Sequence, residues 1–425
     1  MHTRELLQSL RGGGFDAALR TAYGNSLPEA YARIESVVRG FGERFGPAEE
    51  REVRVYSAPG RTELGGNHTD HQNGCALAAS ISPDTLACAA ENGENLIRVH
   101  SKGHAPVEID FTDTAVHPEE KSSSRALVRG VASRIAAMGY PVRGFDAYTE
   151  TLVLRGSGMS SSAAFEVLLG TILNDLCCGG ALTSTQIAQI GQYAENVYYG
   201  KPCGLMDQMA CATGGAIAID FSSGETPEVR RCAVDFRAAG YALVIVDSGA
   251  NHSDLDDEYA AITREMGAVA RFFGREKLRE VDEDDFIRAR SAVEAACGQR
   301  AALRAEHFFA ETRRAQQQYE ALSRGDLPAY LALMRESGLS SERKLQNVAL
   351  PRPGGDRLLR VIERARELAG PEGAARVHGG GFAGTAQALV PLSRLDAFLA
   401  GMEDFAGKGC CHAVRIRAVG GVRLI

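Results

Sequence analysis

An α+β fold in two domains is the architecture this sequence predicts, and three observations predict it. At 425 residues the chain is too long for one ordinary core. Its first half alternates short apolar runs, glycine turns and helical segments, in βαβ-like order. Its second half is mostly long charged helical stretches with a few strand-like runs, and that order argues α+β.

Composition narrows the class. Apolar residues at 44% and charged residues at 24% are the proportions of a soluble globular protein. A net charge of -7 provides no basic footprint for nucleic acid. No apolar stretch is long enough to span a bilayer, and Met1-His2-Thr3-Arg4-Glu5-Leu6 lacks the apolar core of a signal peptide. The ten cysteines form no C-x-x-C pair and include the neighbours Cys177-Cys178 and Cys410-Cys411, which suits a reduced chain. A cytoplasmic protein without membrane or nucleic-acid partners is expected. Cys410-Cys411-His412 has no matching ligand cluster nearby, so no zinc site is expected there. Oligomeric state leaves no mark on the sequence.

Residues 1–48 read as a helical extension, with Leu27-Pro28-Glu29-Ala30-Tyr31 opening an amphipathic segment. Strand and glycine-turn patterns run to about residue 115. A helix over 125–138 stops at Gly139-Tyr140-Pro141, a strand covers 145–154, and a small-residue helix covers 160–176. Thr183 and Gln186 form a capping box for a helix reaching Gly200. The polar stretch 222–228 marks the domain boundary, giving domains over 49–225 and 226–425. Tyr241 to Asp247 reads as a buried strand, charged helices occupy roughly 255–370, and 387–390 and 413–416 are strand-like. The acidic run 254–258 reads as a first helical turn capped by Ser253, favourable to the helix dipole.

The densest chemistry lies in Pro59-Gly60-Arg61-Thr62-Glu63-Leu64-Gly65-Gly66-Asn67-His68-Thr69-Asp70-His71. Donors and acceptors of both signs, set between strand-like flanks, suit a grip on a small hydroxyl-rich molecule. A second signal is Gly156-Ser157-Gly158-Met159-Ser160-Ser161-Ser162-Ala163-Ala164, between the strand-like run Thr151-Leu152-Val153-Leu154 and a helix. Glycines let the backbone approach an anion, and the helix N-terminus offers free N–H groups. The loop is either a phosphate cradle or a serine-capped strand-turn-helix joint, and Arg155 either reinforces an anion site or faces water. The Walker A pattern G-x-x-x-x-G-K-[ST] is absent.

Two acids follow. Glu195 sits at the edge of the stripe formed by Ile187, Ile190, Ala194 and Tyr198, so it is either a semi-buried ion pair or a ligand for a hard cation such as magnesium. Asp207, in the apolar, glycine-broken stretch Cys203-Gly204-Leu205-Met206-Asp207-Gln208, needs a partner. It is either a helix cap or a catalytic base held by an arginine, for which Arg61 is the candidate.

Together these segments resemble the galactokinase branch of the GHMP small-molecule kinases, from about residue 40 onward. The match rests on Ala58-Pro59-Gly60-Arg61 with His68-Thr69-Asp70, on Gly156 through Ala164, on Glu195 and Gly200 with 203–208, and on Gly379-Gly380-Gly381-Phe382-Ala383-Gly384. The resemblance implies a ribosomal-S5-like N-terminal domain and a ferredoxin-like C-terminal domain, with the active site between them. It implies ATP, Mg2+ and phosphorylation of the anomeric hydroxyl of a hexose, galactose to galactose 1-phosphate. On that resemblance Asp207 is the base or electrostatic anchor, Arg61 orients it and stabilises the transferring group, and Ser162 and Glu195 hold the metal. Gly156, Ser157, Gly158, Ser160, Ser161, Ser162 and Ala163 cradle the phosphates. Arg61, Glu63, Asn67, His68, Asp70, Gly204, Asp207 and Tyr259 form the sugar side, and the third glycine motif walls the cleft.

The first motif departs from the family's usual Gly-Arg-Val-Asn-Leu-Ile-Gly-Glu-His-Thr-Asp-Tyr. Glu63 stands for the asparagine, Gly65 for the isoleucine, Asn67 for the glutamate and His71 for the tyrosine. The family's glutamate contacts the sugar's C6 hydroxyl, so acid and amide have exchanged places. Either Glu63 reaches the same region and galactose recognition survives, or the substrate is a C6- or C2-modified hexose such as galacturonate. Plant galacturonate kinases also lack the acid there and carry a His-Gln, as His71-Gln72 do here. A non-catalytic sugar sensor is the remaining alternative, but damage to the serine loop, Arg61 or Asp207 is expected of one, and all are intact.

Overall fold

A computed structural model describes residues 1–46, 51–153, 156, 158–224, 226–250 and 255–425. Leu154, Arg155, Ser157, Ser253 and Asp254, singled out above, lie outside the described residues.

The chain begins with helices α1 (Thr3–Arg11), α2 (Asp16–Tyr23) and α3 (Leu27–Phe45). In α3, Leu27, Ala30, Ile34, Val37, Val38 and Phe41 recur at helical spacing and are buried. They pack on Val55, Leu86 and Cys88 of two long strands, β1 (Arg54–Gly65) and β2 (Cys75–Glu91). The expected extension thus covers one face of a sheet.

The polar run 59–71 is only partly a loop. β1 continues through Gly65, and a tight turn follows. Its antiparallel pairing with β2 shifts register between Pro59 and Arg61 and again between Glu63 and Gly65. Such bulges re-aim side chains, and they explain why a strand hides inside a glycine-rich, charged sequence.

β3 (Leu96–Ser101), β4 (Val107–Asp110), α4 (Ser124–Ala137), β5 (Phe145–Thr151) and α5 (Ser161–Cys177) follow. The next helix, α6 (Ser184–Tyr193), opens on the expected capping box. The Gln186 N–H donates to Thr183 Oγ1 at 3.2 Å, and the Thr183 N–H donates to Gln186 Oε1 at 2.9 Å. A wider helical turn, Ala194–Tyr199, continues it to Gly200. α7 (Met206–Thr213), β6 (Ala216–Asp220) and β7 (Glu228–Cys232) complete this half.

The second half holds β8 (Tyr241–Asp247), α8 (Asp256–Phe272), α9 (Glu283–Cys297), α10 (Gln299–Ser323), α11 (Leu327–Ser340) and α12 (Arg357–Ala369). β9 (Ala374–His378), β10 (Thr385–Pro391), α13 (Leu395–Ala406), β11 (Cys411–Val414) and β12 (Val422–Arg423) close the chain.

Among the described residues two sheets form. The first runs β12-β1-β2-β5-β3-β4, with β6 on the other end of β2 and β7 beside β6. The strand just beyond residue 226 therefore still belongs to the first sheet, as does the last strand of the chain. The second sheet, β11-β8-β10-β9, is antiparallel and packs on α12 and α13 through Val244, Val246, Val361, Ile362, Val377 and Phe398. β9 escaped the sequence reading because Arg376 and His378 interrupt its apolar pattern, yet both are buried. The end of β1 lies where the two sheets meet, and Tyr330 of α11 donates to the Leu64 carbonyl there at 3.0 Å.

Candidate active site

Arg61 leaves β1 between the two bulges and is buried. Its Nε and Nη2 donate to Oδ1 and Oδ2 of Asp207 at 2.7 and 2.8 Å, a two-pronged, charge-assisted pair. Nη1 donates to the Gly158 carbonyl. Asp207 stands in the first turn of α7 and also accepts from the Ser160 hydroxyl. Burial alone raises its pKa, but the Arg61 charge and hydrogen bonds, followed by Ser160, outweigh this and hold the carboxyl below its ordinary value. An ionised, oriented carboxylate results.

The glycine-serine loop runs into α5. Gly158 has φ 70°, and a Cβ there would overlap the Thr385 hydroxyl of β10, so only glycine lets the loop pass this close to the second sheet. Ser160 takes a left-handed φ of 57°, Ser161 opens the helix, and Ala163 is buried behind it. The start of α5 thus faces the Arg61–Asp207 pair, with its unpaired N–H groups available to an anion.

Ser162 donates to Oε1 of Glu195 at 3.3 Å. Glu195 is buried, and its Oε2 accepts from the Gln208 amide at 2.9 Å. The same amide donates to Oε2 of Glu166 at 3.0 Å, while Glu166 Oε1 is buried without a hydrogen-bond partner among the described residues. Burial, then the neighbouring Glu195 charge, pushes the Glu166 pKa well up. Sequence reasoning missed Glu166 and Gln208, although an acid within the apolar run Ala163-Ala164-Phe165-Glu166-Val167 was a visible signal.

The turn after β1 brings His68 to the third glycine motif and Asp70 to Gly204 in the linker before α7, and Tyr259 of α8 meets the same glycine motif. His68, at a left-handed φ of 60°, lies with Nε2 2.9 Å from the Gly380 carbonyl. Burial, and after it the adjacent His71, lowers its pKa and keeps the imidazole neutral. The Tyr259 hydroxyl donates to the Gly381 carbonyl at 3.0 Å, and its ring meets Phe382 edge-on. Asp70 accepts the His71 N–H at 3.0 Å, and its carboxylate lies directly against Gly204, where a Cβ would overlap it.

Glu63 and Asn67 are placed otherwise than expected. They are 1% and 0% exposed. Asn67 Nδ2 donates to both Glu63 oxygens, at 3.2 and 3.1 Å, and to the Gly379 carbonyl at 2.8 Å. Asn67 Oδ1 accepts from Asn347 at 2.9 Å and from Ser341 at 3.3 Å. Glu63 Oε1 pairs with Arg376 Nη2 at 2.7 Å. The exchanged acid and amide face each other inside the protein, with a buried arginine as counter-charge.

No helix among the described residues is long and apolar enough to cross a membrane. The family description "GHMP kinases N terminal domain" matches residues 126–215, and the "Galactokinase galactose-binding signature" matches residues 39–91. Galactokinase of Streptomyces coelicolor is 33% identical over 384 residues, covering 88% of this chain and 95% of that protein. The crystal structure of Lactococcus lactis galactokinase complexed with galactose superposes with a TM-score of 0.80 at 24% identity, over 92% of this chain and 100% of that one. Mevalonate kinase of Methanococcus jannaschii shares the fold at a TM-score of 0.60 and 14% identity, over 86% of this chain and 98% of that one. With its α+β architecture and its kinase-like loop in place, the chain belongs to the galactokinases of the GHMP kinase family, phosphotransferases that act on a sugar hydroxyl.

Proposed function

We propose that this chain transfers the γ-phosphoryl group of ATP to the anomeric hydroxyl of galactose, with magnesium, forming galactose 1-phosphate. The observation that carries the reading is the double grip of Arg61, which holds both oxygens of Asp207 and the Gly158 carbonyl of the phosphate loop. One guanidinium thereby sets the acceptor's anchor against the donor's cradle, the positioning that phosphoryl transfer needs most.

Gly156, Gly158, Ser160, Ser161, Ser162 and Ala163 present backbone and hydroxyl donors to the phosphates at the start of α5. Asp207 accepts the hydrogen bond of the attacking hydroxyl, orients its lone pair toward phosphorus and takes the proton as the new bond forms. Its lowered pKa makes it an electrostatic anchor more than a strong base, which a loose transition state tolerates. Arg61 offsets charge on the transferring group. His68, Asp70, Gly204 and Tyr259 form the sugar's side of the site, with galactose supported by the matched signature over 39–91. Ser162 and Glu195 would hold magnesium, because a hydroxyl and a buried carboxylate, the hard oxygen donors such an ion takes, converge there. When bound, the ion neutralises phosphate charge.

The test is ADP release with magnesium and ATP across galactose, galacturonate, N-acetylgalactosamine and glucose, with phosphorus NMR of the product. Galactose turnover to an anomeric phosphate is expected. Turnover of galacturonate with none of galactose would overturn the reading.

A further inference from the structure

Glu195 is buried, and a buried carboxylate needs a counter-charge. Ser162 and Gln208 offer it only neutral donors. The one cation in ion-pair reach of it among the described residues is Lys201, whose Nζ lies 3.7 Å from Oε1, the oxygen that Ser162 also touches. The ammonium therefore stands beside the start of α5, close enough that its charge also acts on Asp207.

The two ends of this side chain are held differently. The Lys201 N–H donates to the Glu195 carbonyl at 3.1 Å, and two residues on the Cys203 N–H donates to Asn196 Oδ1 at 2.7 Å. The side chain itself is 63% exposed. A pinned backbone with a flexible four-carbon stem lets the ammonium sweep a short arc over the phosphate loop. Only the ammonium end of the pair is open to solvent, so it can exchange its partner while the carboxylate stays in place.

We propose that Lys201 is a nucleotide-binding residue whose ammonium leaves Glu195 for the phosphate oxygens of the nucleotide as they come to lie beside Ser162. The move gives each cation its own oxygens: Glu195 is left to the metal, and Lys201 goes to the phosphates. The inference rests on the reading that Ser162, at the start of α5, borders the phosphates of the nucleotide.

The test is calorimetric titration of the full chain with ADP in excess magnesium chloride, alongside the KM for galactose. K201M is expected to bind ADP about tenfold more weakly, the worth of one charge-assisted hydrogen bond, with the galactose KM unchanged. ADP affinity equal to that of the unsubstituted chain overturns the proposal, and so does a matching rise in the galactose KM, which marks a general distortion. E195Q separates the two readings. If it alters the magnesium needed for ADP binding while K201M binds ADP normally, the lysine proposal alone fails. If it leaves the magnesium requirement unchanged while K201M loses ADP affinity, the metal assignment fails and the lysine proposal stands.

Discussion

Glu63 of β1 and Arg376 of β9 join the two sheets through an ion pair, Oε1 to Nη2 at 2.7 Å, with both side chains closed to solvent. Arg376 also donates to the Glu63 carbonyl at 3.0 Å and to Ser337 at 3.1 Å. The acid at position 63 therefore sits where an arginine of the second sheet neutralises it. The amide at position 67 sits where the Gly379 carbonyl needs a donor and the Asn347 amide an acceptor. The exchange of acid and amide is a matched set of contacts between the sheets.

Removing one member of that pair strands a buried charge. Arg376→Leu is expected to cost about 3–5 kcal/mol in denaturant unfolding, whereas Glu63→Leu with Arg376→Leu recovers a large part of it. An unchanged unfolding midpoint in Arg376→Leu would show that the pair holds nothing together.

Asp207→Asn keeps the shape of the site but removes the charge that Arg61 orients. The kcat is expected to fall by about 10²–10⁴-fold, and the melting temperature to fall as well, because the buried Arg61 loses its counter-charge. Because the Arg61 interactions depress the Asp207 pKa, the acid limb of kcat/KM lies below the ordinary aspartate value of 3.8. Arg61→Met is expected to move that limb to higher pH. A limb that stays put in Arg61→Met would separate the two residues functionally.

Gly204 is the test of the sugar side. A methyl group there would collide with the Asp70 carboxylate and turn it away. Gly204→Ala is expected to raise the KM for sugar about tenfold, the loss of roughly one hydrogen bond to a charged group, and to leave the KM for ATP unchanged. Equal rises in both constants would count against the division of the cleft into a sugar side and a phosphate side.

Asp84 ties the helical extension to the first sheet. It accepts from Tyr23 at 2.7 Å, Arg33 at 2.6 Å and Arg417 at 2.9 Å. Burial raises its pKa, but the Arg33 and Arg417 charges outweigh this, so the folded value lies below the ordinary 3.8. The unfolded chain then binds the proton more readily. The stabilisation is fully present above pH 3.8 and is lost as pH falls through the lower, folded value. Asp84→Asn is expected to destabilise the chain near neutral pH and to flatten its stability profile in that acid window. Acid titration followed by circular dichroism checks both, and a profile parallel to that of the unsubstituted chain would contradict the linkage.

Much of this molecule was legible in the sequence because its signals are local. Helix α3 follows from apolar residues at helical spacing, and the start of α6 from Thr183 and Gln186 three positions apart. The glycine-serine turn into α5 follows from glycines and serines between an apolar run and a small-residue helix. Arg61 and Asp207 could be named as partners because a carboxylate in an apolar stretch demands one. The two bulges in β1 were not legible, since glycine and charge there read as loop. Nor was β9, whose buried arginine and histidine break the alternation.

By itself, then, the sequence determined the two-part α+β plan, the kinase-like loop and the identity of the acid and the arginine beside it. Only the tertiary structure decided where Glu63 and Asn67 point. Their partners, Arg376, Gly379 and Asn347, lie some 280 to 313 positions away along the chain. A buried charge follows its counter-charge rather than its place in a motif, because leaving it unpaired away from water costs more than any local preference supplies.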